Sequence, residues 1–388
     1  MRRRHMIHVI LAFLVAGAFG LMSDDATAGT AYVANEATGT ISVIDTRTNS
    51  VITTIGLGSD PAIPGTPQPD GPFNAETQHH SPFYNGHVGT HGLWLTPDGA
   101  ALLVANRISA TVVAIDTAKN TVLGYIPVGR EPHLATVRPG GREAWVAVRG
   151  ESHIDVLQLS SSDLFKMERR RTERMKKIAT INTVHGPSMI TFTSDGRFAF
   201  VCAGKQDRVD KIDAKTRKVV ANQKVPAAFS PFCLVSPDDQ ELYVVHKGAQ
   251  RLSVLRTRDL SMVVEGMQIG PCANHVWFVG KLAYVTIGGA PPCAPGGVDR
   301  EGKIVIVDRT TRKIVHELTG PAFTGDPHGI WGTADGQLYV GHERGNRVTI
   351  INTGNPDDPS DDKVEGTVTG SAKDLGFMKQ PIDIVIKP

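Results

Sequence analysis

Residues 90–95 read THGLWL and residues 327–332 read PHGIWG, and each run leads into an Asp-Gly turn. Further copies of this strand-opening pattern begin at Pro132-His133, Pro187-Ser188, Pro231-Phe232, Asn274-His275 and Pro381-Ile382. Neighbouring copies are spaced about 42 to 55 residues apart. A recurring unit with a period near forty and room for several strands is typical of a β-propeller blade.

Each opening strand belongs to a unit of four predicted strands. The second strand of each unit is apolar and β-branched, and it often ends like the Tyr-Val-Ala-Asn run at 32–35. The corresponding runs lie at 103–106, 145–148, 200–202, 243–246, 284–286 and 339–342. A third strand resembling Ile-Ser-Val-Ile-Asp (41–45) follows in every unit. Such runs predict strands with one or two buried faces.

The two ends of the repeat region are complementary. Residues 31–35 read as a second strand with no first strand directly before it, and residues 382–386 read as a first strand alone. Pairing them completes a seventh blade and leaves no open sheet edge. The sequence therefore predicts an all-β fold: one seven-bladed β-propeller of four-stranded blades, spanning residues 29–388.

The unit exemplified by residues 32–35 and its six variants resembles the YVTN repeat of secreted bacterial propellers, over residues 31–388. This resemblance implies the fold. It says little about activity, because propellers support binding, scaffolding and several chemistries.

The N-terminus has the features of an export signal. Three arginines at 2–4 precede an apolar run at 6–22, and Ala26-Thr27-Ala28 offers a cleavage site after Ala28. We therefore expect residues 1–28 to be a signal peptide and the protein to be periplasmic or secreted. In that oxidising compartment the four cysteines can form disulfides. Cys272 and Cys293 fall in two loops on the same predicted face, and we expect them to pair.

Composition limits the classes of partner and cofactor. The formal net charge of the 388-residue chain is only +2, which gives no general reason to expect nucleic acid binding. The sequence contains no Cys-x-x-Cys-His motif and no dinucleotide fingerprint. We therefore expect neither covalent haem nor a nucleotide cofactor.

Histidines recur at one position of the repeat. In an up-and-down blade, the loop entering the first strand lies on the same face as the loop joining the second and third strands. Histidines at the start of first strands should therefore surround the mouth of the central channel on this face, here called the top. These histidines are His91, His133, His275 and His328.

The long segment 59–90 enters a first strand on the same face and carries His79 and His80. We expect it to cover the mouth as a lid, as long loops without secondary structure often do. Neutral imidazole is a common ligand of copper and zinc. The six histidines therefore predict a transition-metal site. The alternative is that each first-strand histidine is only a repeat variant that hydrogen-bonds a neighbouring blade.

Basic residues follow several second strands and should also lie on the top face. Those predicted to contact a ligand are Arg107, Arg149, Lys247 and Arg344. Several positive charges around a concave mouth attract carboxylate, phosphate or other oxyanions. The pattern predicts a site for a small anionic ligand or substrate. Solvated loop charges are the alternative for each residue taken singly.

The histidine pattern resembles that of copper propeller enzymes such as nitrous-oxide reductase and thiocyanate dehydrogenase. The likeness consists of the architecture and the adjacent pair His79-His80. It implies a copper centre and oxidoreductase chemistry. The chain departs from these enzymes because it has no Cys-x-x-x-Cys electron-entry motif. Ser188, Phe232 and Ile382 also stand where three more histidines would be needed.

A basic insert at 160–177 separates a third from a fourth strand and should lie on the opposite face. Its part at 164–177 could dock an acidic protein partner or an anionic membrane surface, whereas a solvated helical excursion is the alternative.

Three functions remain open from the sequence. The first is a metal-dependent periplasmic enzyme, such as an oxidoreductase, with a histidine-rich basic pocket. The second is a non-catalytic, protein-binding scaffold of the cell envelope. The third is a lactonase- or lyase-like enzyme, which needs a carboxylate beside the histidines; Glu36, Glu343 and Asp383 are available on the top face.

Overall fold

The computed structural model describes residues 29–57, 88–159, 175–226, 229–289, 301–370 and 378–388. These residues form 28 β-strands and two short 3₁₀ turns, Pro321–Phe323 and Pro359–Asp361. The strands are β1 (Thr30–Asn35), β2 (Thr40–Asp45), β3 (Ser50–Gly56), β4 (Thr90–Leu95), β5 (Ala101–Asn106), β6 (Thr111–Asp116), β7 (Thr121–Pro127), β8 (Pro132–Val137), β9 (Glu143–Val148), β10 (His153–Leu159), β11 (Met175–Asn182), β12 (Pro187–Phe192), β13 (Phe198–Ala203), β14 (Arg208–Asp213), β15 (Lys218–Lys224), β16 (Phe232–Val235), β17 (Glu241–His246), β18 (Arg251–Arg256), β19 (Met262–Gln268), β20 (Ala273–Val279), β21 (Leu282–Ile287), β22 (Lys303–Asp308), β23 (Lys313–Leu318), β24 (Pro327–Gly332), β25 (Gln337–His342), β26 (Arg347–Asn352), β27 (Lys363–Thr369) and β28 (Pro381–Lys387).

The strands form seven antiparallel sheets of four strands each, which confirms the predicted propeller. Six sheets take their strands in chain order, from β4–β7 to β24–β27, and the seventh has the order β28-β1-β2-β3. The first strands of successive sheets contact one another, and β28 contacts both β4 and β24, so the ring is closed.

The closing blade joins the two ends of the described chain. Strand β28 pairs antiparallel with β1, so that Ala31 lies opposite Ile386 and Tyr32 opposite Val385. All four side chains are buried. The predicted pairing of residues 31–35 with 382–386 is therefore correct.

The hydrophobic core lies between neighbouring blades. Tyr32, at the centre of a second strand, is 1% exposed, and its hydroxyl donates to the carbonyl of Thr117 in the next blade at 3.2 Å. Tyr339 makes the same kind of bond to the carbonyl of Thr46 at 3.3 Å. The large second-strand side chains thus fill the space between sheets, while their polar tips are satisfied across the blade boundary.

A β-bulge opens most of the first strands. The pairing register shifts just after Thr90, Pro132, Pro187, Ala273 and Pro327, and also where β28 pairs with β1. The predicted histidine position falls within each shift. A bulge bends the strand and re-aims the side chain of its extra residue.

Several sequence predictions lie outside the described residues. They concern the signal peptide at 1–28, nearly all of the lid at 59–90 with His79 and His80, and most of the basic insert at 160–177. The last three residues of that insert, 175–177, belong to strand β11. Among the described residues, no helix is long and apolar enough to span a membrane.

The cysteines divide into two groups. Cys272 is disulfide-bonded, whereas Cys202 and Cys233 are free, buried and hydrogen-bonded to each other across adjacent blades. Cys293 lies outside the described residues, so its pairing with Cys272 stays a prediction.

Candidate functional site

The four first-strand histidines gather at the top of the channel in two pairs. The ring centroids of His91 and His133 are 4.1 Å apart, and those of His275 and His328 are 4.8 Å apart. All four residues are buried, with at most 9% of their surface exposed. Ring closure thus brings together side chains that are up to about 240 positions apart in the sequence.

The hydrogen-bonding states of the rings differ. The Nδ1–H of His328 donates to the carbonyl of Ile382 at 2.9 Å, while its Nε2 lies 3.9 Å from a carboxylate oxygen of Glu343. His275 stacks on Phe232 with centroids 4.0 Å apart. Nδ1 of His91 is buried and has no hydrogen-bond partner in the described part of the chain. Only His328 therefore fits the alternative of a purely structural, backbone-bonded histidine.

The histidines are held in the neutral form. Burial lowers the pKa of all four well below the usual value. Nearby positive charges act in the same direction: Arg149 and Arg107 lower the pKa of His133, and Lys247 lowers the pKa of His275. Neutral imidazoles keep a nitrogen lone pair for a ligand, a metal or a proton.

Asp383 is a carboxylate beside the histidines, as Glu343 is. Its Oδ1 lies 3.9 Å from Nδ1 of His275, and its side chain is 13% exposed. Its two oxygens accept hydrogen bonds from the backbone N–H groups of Leu93 (2.9 Å) and Ile384 (3.0 Å). Burial raises its pKa to about 7 despite these two bonds. The carboxyl can therefore exchange a proton near neutral pH.

The sequence offers three candidate carboxylates on the top face, and Asp383 is one of them. The residues at the same repeat position in the other copies are what distinguish it. The residue following the histidine position is Gly92, Leu134, Met189, Cys233, Val276 or Gly329 in the other copies. An acidic residue among glycine and apolar residues at a buried repeat position is unusual and points to a special role.

Cations form a partial ring around the histidines. Arg107 is paired with Glu36, with Nη1 and Oε1 2.8 Å apart. Arg344 lies 3.6 Å from carboxylate oxygens of both Asp326 and Glu343. Lys247 acts electrostatically on His275, His328 and Asp326.

Arg149 differs from the other cations. Within the described residues it makes no ion pair and its guanidinium donates no hydrogen bond. Its Nε is buried without a partner there, as are those of Arg107 and Arg344. The ring of Phe229 lies beside it, with its centroid 5.8 Å from Cζ. Burial, and then the like charge of Arg107, lower its pKa, while the negative charges of Glu131 and Glu36 act in the opposite direction.

Two cavities lie at this face. The cavity enclosed by the histidines is small, about 20 Å³, and is lined by His91, His133, His275 and Asp383 with three tryptophans below. That volume suits about one water molecule. The second cavity measures about 440 Å³ and is bounded by Glu36 and Glu131 and by three cations. These cations are Arg107, Arg130 and Lys205.

The predicted metal site is not complete among the residues that the structure describes. No group of three or more His, Cys, Asp or Glu side chains in that part of the chain is arranged to hold a metal ion. The imidazoles pack as two pairs of rings, and His79 and His80 lie outside the described residues. The metal therefore stays a prediction.

Two other top-face histidines, His246 and His342, serve the fold. The ring of His246 bonds to Ser230 at 2.6 Å and to Ser253 at 2.8 Å. Both ring nitrogens of His342 are also used, by the carbonyl of Thr324 (2.9 Å) and the hydroxyl of Thr349 (2.8 Å). Neither has a nitrogen left for a ligand.

Comparison with known proteins supports the fold alone. No protein-family model matches the sequence, and no curated protein matches it. The chain is similar in structure to hydrazine synthase of Kuenenia stuttgartiensis, with a TM-score of 0.54 and 20% identity over 68% of this chain and 76% of that one. It is also similar to a functionally unknown protein from Desulfotomaculum acetoxidans DSM 771, with a TM-score of 0.63 and 12% identity over 92% and 98% of the two chains.

A third similar structure is the β-propeller domain of Cps50 (Swd1) from Myceliophteria thermophila, with a TM-score of 0.58 and 14% identity over 83% and 95% of the two chains. At such low identities the likeness shows the propeller and nothing about activity. The resemblances to YVTN-repeat proteins and to copper propeller enzymes are not confirmed by these comparisons.

Proposed function

We propose that the protein is an exported β-propeller that binds a small anion at the basic top mouth of its channel. The observation that carries this proposal is the state of Arg149, a guanidinium without an ion pair or hydrogen bond among the described residues and with a buried Nε. Glu131 and Glu36 lie close enough to favour its charge but form no ion pair with it. A largely buried guanidinium that is only partly compensated in this way is costly, and a bound anion would reduce that cost.

The neighbouring charges support the same ligand. Arg107 lies close enough for its charge to lower the pKa of Arg149. Glu36 pairs with Arg107 and offsets part of the repulsion between the two guanidinium groups. A bound anion would offset the rest. The planar donor arrays of guanidinium groups match the oxygen atoms of carboxylates and phosphates, which they bind through paired hydrogen bonds.

The neutral histidines suit an anion site as well. A neutral imidazole can donate one N–H to a ligand oxygen and can also take up a proton from the ligand. Asp383, whose pKa burial raises to about 7, lies next to His275 and could accept that proton. The site therefore has the groups needed to bind an anion and to exchange a proton with it.

Sulfate titration of the full-length mature protein tests the proposal. The titration is followed by calorimetry at low ionic strength and pH 7, because salt screens such contacts. We expect saturable binding to the wild type and at least a ten-fold weaker affinity for Arg149→Gln, as loss of a charge-assisted hydrogen bond costs about 1.5–3 kcal/mol.

Arg197→Gln is the matched control. It removes the same charge from an exposed turn between β12 and β13, on the opposite face, and should leave the affinity within about two-fold. The proposal fails if sulfate, phosphate and oxalate all show no saturable binding to the wild type. It also fails if Arg149→Gln binds as tightly as the control.

A transition metal is the second candidate, favoured by the buried, unpartnered Nδ1 of His91 beside His133. His91 and His133, with His275, His328 and the lid residues His79 and His80, would then hold copper or zinc. The same titration with ZnCl₂ and CuCl₂ distinguishes this candidate. We expect at least one equivalent of tight binding, lost in His91→Asn; binding below about 0.2 equivalents contradicts it.

A further inference from the structure

A third cavity opens at the bottom end of the channel, away from the anion site. Its volume is about 480 Å³. Trp94, Trp277 and Trp331, from the first strands β4, β20 and β24, line both this cavity and the small histidine-lined cavity. The three side chains therefore form a partition across the channel. The cavity below this partition is called the lower cavity.

The tryptophans form one continuous aromatic surface. The ring centroids of Trp277 and Trp331 are 4.2 Å apart at an interplanar angle of 31°, and Trp94 meets Trp331 edge-on at 5.6 Å. All three side chains are only half-buried. Large aromatic groups left partly exposed in a concave site mark binding surfaces more often than structural ones.

Among the residues that the structure describes, none of those lining the lower cavity is charged, although 21% of the chain is charged. Its other walls include Phe192, Phe278 and Pro139. Some of its few hydroxyls already serve the protein: Thr136 donates to the carbonyl of Ile190 at 2.8 Å, and Thr193 donates to Asp195 at 2.6 Å. A charged ligand would lose its hydration here without gaining a counter-ion.

The indole N–H groups are the available polar groups. Trp145, in the core, donates its N–H to Glu143 at 3.1 Å. Those of Trp94, Trp277 and Trp331 make no hydrogen bond within the described residues, and none of them is sealed from solvent. They can donate to a ligand that lies against the rings.

We propose that the lower cavity binds a small, uncharged aromatic molecule that carries a carbonyl or similar hydrogen-bond acceptor. Aromatic rings stack on indole with a gain of about 0.5–1.5 kcal/mol beyond area burial. The cavity volume lies within the range of about 300–1,000 Å³ that is usual for small-molecule sites. A sugar fits less well, because its many hydroxyls would lose hydration against apolar walls.

The test uses the full-length mature protein and the uncharged fluorophore Prodan, an aromatic ketone whose emission moves to shorter wavelength in apolar sites. We expect saturable binding with one Prodan per chain. Uncharged 2-acetylnaphthalene should displace it, whereas 2-naphthoate, of nearly the same shape but charged, should compete at least ten-fold less well.

Two variants examine different properties of the site. Trp277→Leu removes a stacking surface and a donor, and Pro139→Glu places a charge in the wall without altering the tryptophans; each should weaken Prodan binding at least ten-fold. Ile52→Ala removes apolar surface that is 58% exposed on a distant strand and should change nothing. Thermal unfolding of each variant verifies that it is folded.

The outcomes separate this inference from the proposed anion site. Pro139→Glu should keep sulfate binding, and Arg149→Gln should keep Prodan binding. The inference is overturned if Pro139→Glu and Trp277→Leu bind Prodan as the wild type does. It is also overturned if glucose or 2-naphthoate displaces the probe as well as 2-acetylnaphthalene does.

Discussion

Asp362 illustrates how a single side chain can make stability depend on pH. It follows the acidic 3₁₀ turn Pro359–Asp361, and its Oδ2 accepts a hydrogen bond of 3.0 Å from the hydroxyl of Tyr284 in the neighbouring blade. Its Oδ1 is buried without a partner. Burial, together with the negative charges of Asp361 and Asp358, raises its pKa to about 7.

The raised pKa leads to a signed prediction for stability. From about pH 4 to about pH 7 the carboxyl of the unfolded chain is ionised, whereas that of the folded chain stays protonated. Its stabilising contribution is therefore complete below pH 4 and is lost as the pH rises to 7. Asp362→Asn cannot ionise. The free energy of unfolding of this variant, relative to that of the wild type, should therefore rise by roughly 1–2 kcal/mol from pH 4 to pH 7. This figure is reduced for the partial exposure of the carboxyl.

Urea denaturation at pH 4, 5.5 and 7 measures this difference. Val364→Ala changes an uncharged residue that is 41% exposed in the strand after the acidic 3₁₀ turn. Its free energy of unfolding should differ from that of the wild type by the same amount at every pH. If the difference in the free energy of unfolding between Asp362→Asn and the wild type is also the same at every pH, the protonated state assigned to Asp362 is wrong.

At the residue scale, the repeat made the grouping of the first-strand histidines predictable, while their role as metal ligands stays a prediction. His91, His133, His275 and His328 share one register, so circular closure alone places them around one mouth. Their neutral state could not be predicted, because it depends on burial and on cations from other blades. The sequence was equally silent on the lack of an ion pair at Arg149 among the described residues, because its sequence context matches that of Arg107, which has an acidic partner.

At the scale of the element, the turn between the second and third strands is built around the last residue of the second strand. In two blades this residue is Asn35 or Asn106, whose amide donates to hydroxyls of the third strand. In two others it is His246 or His342, which also bonds backwards to the segment entering the first strand. Histidine at this position therefore links the second strand by hydrogen bonds to the third strand and to the segment that enters the first strand.

His246 therefore allows a prediction about one blade. His246→Leu removes the two buried hydrogen bonds that the ring makes to Ser230 and Ser253, so the free energy of unfolding should fall by about 2–4 kcal/mol. His246→Asn keeps the bond to the third strand, as Asn35 does in its blade, and should lose less than half of that. Chemical denaturation measures both variants. Sulfate affinity should stay within about two-fold, and a large loss would place His246 in the ligand site instead.

The sequence repeat predicted strand order and faces well, because period and turn residues are local signals. It did not predict the bulge that opens the first strands, although Gly92 and Gly329 directly after a histidine were a hint. A Cβ on Gly92 would come within 2.2 Å of the carbonyl of His133, so only glycine permits this approach. The tryptophan partition was also missed, because its members meet only across the channel.

At the scale of the whole molecule, the channel has two chemically different ends. The top has neutral histidines, a buried carboxyl and several cations, while the lower cavity is aromatic and uncharged. The partition of Trp94, Trp277 and Trp331 keeps them apart. Since both cavities are formed by first strands of several blades, each depends on the ring being closed.

Ring closure depends on strand β28, and its removal gives the last prediction. This strand buries Ile382, Ile384, Val385 and Ile386 against β1 and the neighbouring blades. Burial of each such side chain contributes about 1.5–3 kcal/mol, so the strand contributes an amount comparable to the total stability of about 5–15 kcal/mol of a typical domain. Its loss also exposes β1 as an unpaired edge, which promotes aggregation.

A chain ending at Gln380 should therefore show no cooperative thermal unfolding transition and should elute as aggregates in size-exclusion chromatography. Removing Pro388 alone, which is exposed and outside the strand, should change neither property. Sulfate and Prodan binding should disappear together in the truncated chain, because both sites combine residues of several blades that the closed ring holds in place. A truncated monomer that melts within a few degrees of the full chain would show that the ring holds without its closing strand. The two ends of the channel would then owe their geometry to the remaining blades alone.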